Sequence, residues 1–305
     1  MSVFLIPDGL AGERIDKAAS RISGLSRNRI DQLLEAGTIS LDGEQVSKSA
    51  RVKPGQLLEL TDLSERKVEV VPLVVDGMGI VYDDADVVVV DKPAGVAAHP
   101  SLGWEGPSVV EHLAGAGFRI STSGAPERQG IVQRLDVGTS GLMVVAKSEP
   151  AYTSLKQQFR DHTTLKIYHT LVQGLPDPHE GTIDAPIGRH PGYDYKMAVT
   201  AKGRPSVTHY ETLEAHRRTT LLKVRLETGR THQIRVHMQA IGHPVVGDPT
   251  YGSDPALADR LGLVRQWLHA VELGFNHPRS GEWLTFSSVY PRDLANALEL
   301  VERNA

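Results

Sequence analysis

The chain has 305 residues, 40% hydrophobic and 23% charged, which suits a globular protein with one large and one small domain. It contains no cysteine, so disulfides and thiolate metal sites are excluded and a reducing compartment fits. The formal net charge of −4 argues on its face against a polyanionic partner, but clustering of the basic residues matters more than the total.

The opening "MSVFLIPDGLAGERID" lacks a basic stretch followed by a long apolar one, so no signal peptide is expected. No apolar run reaches the length of a membrane span, and a cytoplasmic protein is predicted. Ile15, Ala18, Ala19 and Ile22 recur at helical spacing. Ser26 is placed to cap a second helix with Ile30, Leu33 and Leu34 on one face, and Gly37 to end it. "TISLDGEQV" holds the Asp42-Gly43 signature of a tight hairpin, and "KPGQLLEL" adds a turn and a short strand. Residues 13–62 therefore read as a small module of two helices and a sheet. Between Arg14 and Arg29, five basic residues (Arg14, Lys17, Arg21, Arg27, Arg29) face one acid, Asp16. Arg27 and Arg29 fall in the first turn of the second helix, where unpaired backbone N–H groups already favour an anion. A phosphate-sized site is expected there.

Residues 63–77, within "DLSERKVEVVPLVVDGMG", read as an extended linker, and 78–305 as a larger domain mixing strands and helices. "DVVVVDKPAGVAAHP" is a core strand ending in a Lys-Pro-Ala-Gly turn, and "STSGAPERQG" a mobile surface loop. Ser148 is an N-cap, with Pro150 in the first turn and Ala151, Leu155 and Phe159 on one helical face. "LKIYHTLVQG" is a strand with Ile167, His169 and Leu171 on one side and Tyr168, Thr170 and Val172 on the other. "TTLLKVRLETG" is another, with Leu222, Val224 and Leu226 inward and Lys223 and Arg225 outward. Thr231 is placed to cap a helix bearing Ile234, Met238 and Ile241, which Gly242 closes. From Arg217 to His237 six basic residues meet Glu227 alone, a second basic region.

In "QGIVQRLDVGTSGLMVVAKS" a single aspartate, Asp136, stands at the mouth of a core strand. Such a charge is costly to bury unless it is partnered. Arg230, at a strand-to-helix junction, is the expected partner, a guanidinium that would keep the carboxylate charged. Tyr168 on a neighbouring strand would add a flat face and a hydroxyl. Rival chemistries fail on spacing. "GTSGL" has Leu142 where a nucleophile elbow needs glycine, and there is no phosphate-binding GxxxxGK[ST]. His232 and His237 are five apart, the wrong interval for two ligands on one helical face. No metal site is expected on that spacing. Taken singly, Asp136 reads as a turn-capping residue, Tyr168 as a strand aromatic and Arg230 as a surface arginine.

Their joint occurrence changes that. "RLDVGTSGLMVVAKS", "LKIYHTLVQG" and "GRTHQIRVHMQAIGHPVVGDPTYG", preceded by "DKPAGVAAHP", resemble in order and spacing the signature segments of the RluA/RluD-like pseudouridine synthases. "RIDKAASRISGLSRNRIDQLLEAGTISLDGEQV" resembles the ribosomal protein S-four-like RNA-binding domain. The resemblance implies a mixed α/β (α+β) pseudouridine synthase fold with a largely antiparallel central sheet, plus a small αα-β RNA-binding domain. It implies an isomerase converting uridine to pseudouridine in structured RNA, with large-subunit ribosomal RNA as the expected substrate. The alternatives are a transfer-RNA substrate, or a non-catalytic RNA-binding or ribosome-assembly factor on the same fold. Asp136 matches the family's catalytic aspartate, Tyr168 the tyrosine that packs on the target base, and Arg230 the basic residue paired with the aspartate. Arg134 matches the arginine that enters the RNA stack when the uridine is flipped. Gln133 departs from the histidine usual before it, and with Arg14, Lys17, Arg27 and Arg29 it completes the expected RNA contacts. The resemblance also implies neither a cofactor nor a metal, and a monomer is expected.

Overall fold

The structure, a computed structural model, describes residues 2–25, 27–61, 70–101 and 104–303. The chain divides into two compact units, residues 1–67 and 68–305. Among the described residues no helix is long and apolar enough to cross a membrane.

The first unit holds β1 (Ser2–Leu5), α1 (Ile15–Ser23), α2 (Arg27–Glu35), β2 (Ile39–Leu41), β3 (Glu44–Gln45) and β4 (Leu57–Leu60). The sheet order is β1-β4-β2-β3, and every pairing is antiparallel. Ile15, Ala18 and Ala19 of α1 and Ile30 of α2 are fully buried against Ile39 and Leu58. Asp42 and Gly43 both take positive φ, the turn that matches the twist of the two short strands it joins. The unit begins earlier than residue 13: β1 pairs with β4 in register Ser2↔Leu60, and Ile6 and Leu10 enter the core. β1 escapes the hydrophobic pattern because Val3 and Leu5 are both exposed. Ser26 and the side chain of Arg27 lie outside the described residues. Of the other basic residues, Arg14 pairs with Asp16, and Lys17 and Arg21 both reach Glu13. These pairs are exposed, so they contribute little and a phosphate could replace them.

The second unit runs β5 (Gly79–Asp83), β6 (Val87–Lys92), α3 (Val109–Gly115), β7 (Ser140–Ala146), α4 (Glu149–Arg160), β8 (Leu165–Gln173), β9 (Glu180–Asp184), β10 (Ile187–His190) and β11 (Tyr193–Val199). It continues with β12 (Val207–Ala215), β13 (Thr219–Leu226), α5 (Gln233–Ala240), α6 (Pro255–Arg260), β14 (Leu268–Asn276), β15 (Trp283–Ser287) and α7 (Arg292–Arg303). Residues 63–69 of the expected linker lie outside the described residues. The remainder is docked, since the Leu73 amide donates to the Glu111 carbonyl and the Val75 amide to His112 Nδ1.

The large sheet has the order β5-β6-β7-β14-β8-β13-β12-β9, with β15 added beside β14. Among the described strands of this sheet only β7 and β14 pair in parallel, through His269↔Ser140 and Ala270↔Gly141. The run Val87–Val90 is unbroken because the sheet is covered on both sides. Val88 and Val90 join the core beneath α3 and α5, and Val87 and Val89 join the one beneath α4. Gly141 sits at φ 112° where β7 crosses β14, and a Cβ there would lie 2.3 Å from the Ala270 carbonyl oxygen. The second glycine of "GTSG" is therefore a requirement of strand packing. Ser148 caps α4 by accepting from the Ala151 amide. The loop at 121–130 is tied down: Glu149 accepts from Thr122 and from Ser123.

Below β7, His269 is almost wholly buried, with Nδ1 2.8 Å from Ser140 Oγ and Nε2 3.0 Å from Ser288 Oγ. Burial, with Arg265 nearby, pushes its pKa down to about 4. A folded pKa below the unfolded one means stability is fullest above pH ~6.5 and is lost as pH falls through about 4. Such a shift carries up to about 3 kcal/mol. Urea melts between pH ~7 and ~4.5 are expected to show this slope, and His269→Gln is expected to flatten it. An equal slope in both proteins would count against His269 as the source.

Candidate active site

Asp136 lies in the loop entering β7, and that loop is held from below by buried groups. The fully buried Lys92, at the end of β6, points its Nζ at the carbonyl oxygens of Val96 (2.8 Å), Pro93 (3.1 Å) and Asp136 (3.3 Å). Burial pushes its pKa down to about 7, with Asp136 pulling the other way. The Gly95 amide donates to the Val137 carbonyl, so the Lys-Pro-Ala-Gly turn and the aspartate loop brace each other. On the far side, Arg265 Nη1 donates to the Gly138 carbonyl (3.0 Å) while its Nε and Nη2 grip Asp293 of α7. A Cβ at Gly138 would lie 2.6 Å from Gln266 Oε1, so a side chain there would displace the amide that donates to Thr139.

The guanidinium that meets Asp136 is Arg235, one turn into α5, and this corrects the expected pairing with Arg230. Arg235 Nη1 donates to Asp136 Oδ2 at 3.1 Å. Its Nε and Nη2 hold both oxygens of the buried Asp248 at 2.6 and 3.0 Å, and its plane lies 4.9 Å from the centre of the Tyr251 ring. Burial opposes the charge on Arg235, but the Asp248 and Asp136 oxygens outweigh it and the pKa is raised. Arg230 instead donates from Nε to the Pro205 carbonyl at 3.2 Å, leaving its head at the rim. The reason is local: the backbone amide of Arg230 is pinned to Gln233 Oε1, and Gln233 Nε2 is tied in turn to Val207 and Thr208 of β12.

Thr231 does not cap α5. His232 does, in the left-handed conformation (φ 57°), which few residues other than glycine tolerate. This turn sets His232 Nε2 4.0 Å from Asp136 Oδ2 and Nδ1 2.7 Å from the Tyr251 hydroxyl. Burial lowers the pKa of His232. His237 is a satisfied structural histidine, bonded to Thr208 Oγ1 and the Ala185 carbonyl.

Asp136, Tyr168, Arg134 and Arg230 line one pocket together with His232 and Arg235. Tyr168 projects from β8 with its ring buried and, among the described residues, its hydroxyl has no hydrogen-bond partner. Burial, then the charge of Asp136, raises its pKa, so it is a phenol near neutrality. Arg134 is exposed at the mouth. The pocket opens into a larger groove that shares Arg134, Tyr168 and Arg230. Gln133 lines this groove, with its amide nitrogen buried and unpartnered. Arg14 and Lys17 line a separate depression on the first unit.

Among the described residues, Asp84, Asp86 and His277 could together hold a metal ion. Asp86 is already gripped by two nitrogens of Arg279, and the group shares no residue with the pocket.

The sequence profile of the family described as RNA pseudouridylate synthase matches residues 86–240, half of the chain. An uncharacterized RNA pseudouridine synthase of Mycobacterium tuberculosis (strain CDC 1551 / Oshkosh) is 56% identical over 97% of this chain and 96% of its own. Ribosomal large subunit pseudouridine synthase D of Nitrosomonas europaea is 40% identical over 97% of this chain and 86% of its own. Among solved structures, Human RNA Pseudouridylate Synthase Domain Containing 1 aligns with a TM-score of 0.57 and 30% identity over 72% of this chain and 86% of that one.

Proposed function

This chain belongs to the RNA pseudouridylate synthase family, and on that premise we propose that it isomerises uridines of large-subunit ribosomal RNA with Asp136 as its catalytic carboxylate. The observation that carries the assignment of Asp136 is its Oδ2 fixed by Arg235 in a pocket that also contains the Tyr168 hydroxyl, unpartnered among the described residues. The reaction breaks the C1′–N1 bond of uridine, turns the uracil, joins C5 to C1′ and releases the C5 proton. Asp136 assists by attacking the sugar or the base, or by taking the C2′ proton. The target must first leave the helix, at a cost of a few kcal/mol, and Arg134 is free at the mouth to fill the vacated space. Tyr168 holds the detached uracil. A phenol with a raised pKa is a weak acid and stays protonated, so this hydroxyl acts by contact and hydrogen bonding rather than as a phenolate.

The ribosomal substrate is supported by the relative from Nitrosomonas europaea, which is named for the large ribosomal subunit. The first unit, which resembles the ribosomal protein S-four-like domain, serves as the RNA dock, with Arg14, Lys17, Arg27 and Arg29 as its cations. RNA carrying tritium at C5 of uridine tests the substrate: release is expected from large-subunit ribosomal RNA. Release from transfer RNA alone would overturn the ribosomal assignment. Removing residues 1–62 is expected to weaken ribosomal RNA binding and make it less salt-sensitive, since several phosphate contacts go. An unchanged affinity and salt slope would sink the dock.

A further inference from the structure

The groove outside the pocket contains six lysines and arginines, Arg128, Arg134, Lys156, Arg160, Lys166 and Arg230, and no acidic residue. Four of its lining residues, Thr153, Lys156, Gln157 and Arg160, come from α4 and are exposed. Their spacing of three, one and three residues puts them in one stripe along the helix, opposite the buried Ala151 and Leu155. The structure leaves these cations poorly neutralised. Among the described residues Lys156 has no ion pair, only the Tyr152 ring at 5.9 Å. Arg160 has only its neighbour Asp161, at 3.9 Å between two exposed side chains, a contact worth little in water. Arg128 likewise has only the adjacent Glu127, at 3.6 Å. Deeper in, the pKa of Lys166 is pushed down to about 8, first by burial and then by Arg230. Cations crowded to this degree are relieved by a polyanion.

We propose that the Thr153–Lys156–Gln157–Arg160 stripe of α4 is the bed for the RNA strand flanking the target uridine, with Lys156 and Arg160 gripping its phosphates. The inference rests on the pocket being where the uridine is modified. The groove is continuous with that pocket through Arg134, Tyr168 and Arg230, so a strand with one nucleotide in the pocket has its neighbours on α4. Lys156 and Arg160 are four residues apart, about 6 Å along the helix, so they can hold separate phosphates of one strand. Because the contacts are to the backbone, the bed adds affinity without reading sequence.

The test is binding of a single-stranded oligouridylate of about 20 nucleotides to the full chain over a range of potassium chloride concentrations. Two lost phosphate contacts on a single strand make the log–log salt dependence shallower by about 1.4. Lys156→Ala/Arg160→Ala is expected to show that change and about tenfold weaker binding at moderate salt. Arg292→Ala/Arg303→Ala, at the ends of α7, removes the same charge elsewhere and is expected to keep the wild-type slope. A wild-type slope in the α4 variant, or an equal change in both, overturns the proposal. Pseudouridine formation by the wild type is scored separately, so a failure of the ribosomal assignment leaves the salt slopes to decide the bed.

Discussion

Asp136→Asn is expected to lower the rate of tritium release by about 10³-fold or more while leaving RNA affinity within a few-fold. Asparagine keeps the shape of the side chain, and its amide oxygen can still accept from Arg235 Nη1, which sits 3.1 Å from the present carboxylate. Arg235 also keeps both bonds to Asp248, so the pocket holds its form. What disappears is the negative charge and the basicity. Either route through Asp136 needs one of them, whether the oxygen bonds to carbon or takes the C2′ proton. Single-turnover release at saturating RNA separates the chemical step from binding. A variant within tenfold of wild type would remove Asp136 from the chemistry.

Much of this site was legible in the sequence because its residues stand at element ends. Asp136 precedes a strand, Arg134 is two residues before it, and Arg230 follows one; all three line the same pocket as Tyr168. Arg235 was hidden for the opposite reason. It sits inside "QIRVHM", where helical spacing accounts for the residues around it and a lone arginine reads as the solvent face. The available signal was that Ile234 and Met238 share one face of the helix while Val236 lies opposite, so α5 is buried on two sides and a charge within it must have a buried partner. Asp248, in "VVGDPTYG", was that partner. The β10–β11 hairpin gave a weaker signal: Tyr193, Tyr195, Met197 and Val199 alternate with Asp194, Lys196 and Ala198, but Tyr193 and Tyr195 are exposed, so the alternation does not mark a core face. His232 carries no pattern at all, since its role follows from a left-handed backbone that only the structure reveals.

The two arginines part company most sharply in stability. Arg235→Met is expected to destabilise the fold by about 3–5 kcal/mol, because it strips the counter-charge from the buried Asp248 and the largely buried Asp136 together. Arg230→Met removes one bond at an exposed carbonyl and should change stability by no more than about 0.5 kcal/mol. Urea denaturation of the two proteins reads this difference directly. Arg230 still lines the pocket and the groove, so its variant should bind RNA less tightly although it folds as well as wild type. If the cost at Arg235 comes from stranded carboxylates, it must depend on them. Asp248→Asn in the Arg235→Met background should then recover part of the lost stability, since a buried neutral amide costs less than a buried unpaired charge. Additive losses in the double variant would mean that Arg235 stabilises α5 by packing on Tyr251 alone. Asp136 would then owe its position to Lys92, Gly95 and Arg265, which hold its loop from below, and not to the guanidinium beside it.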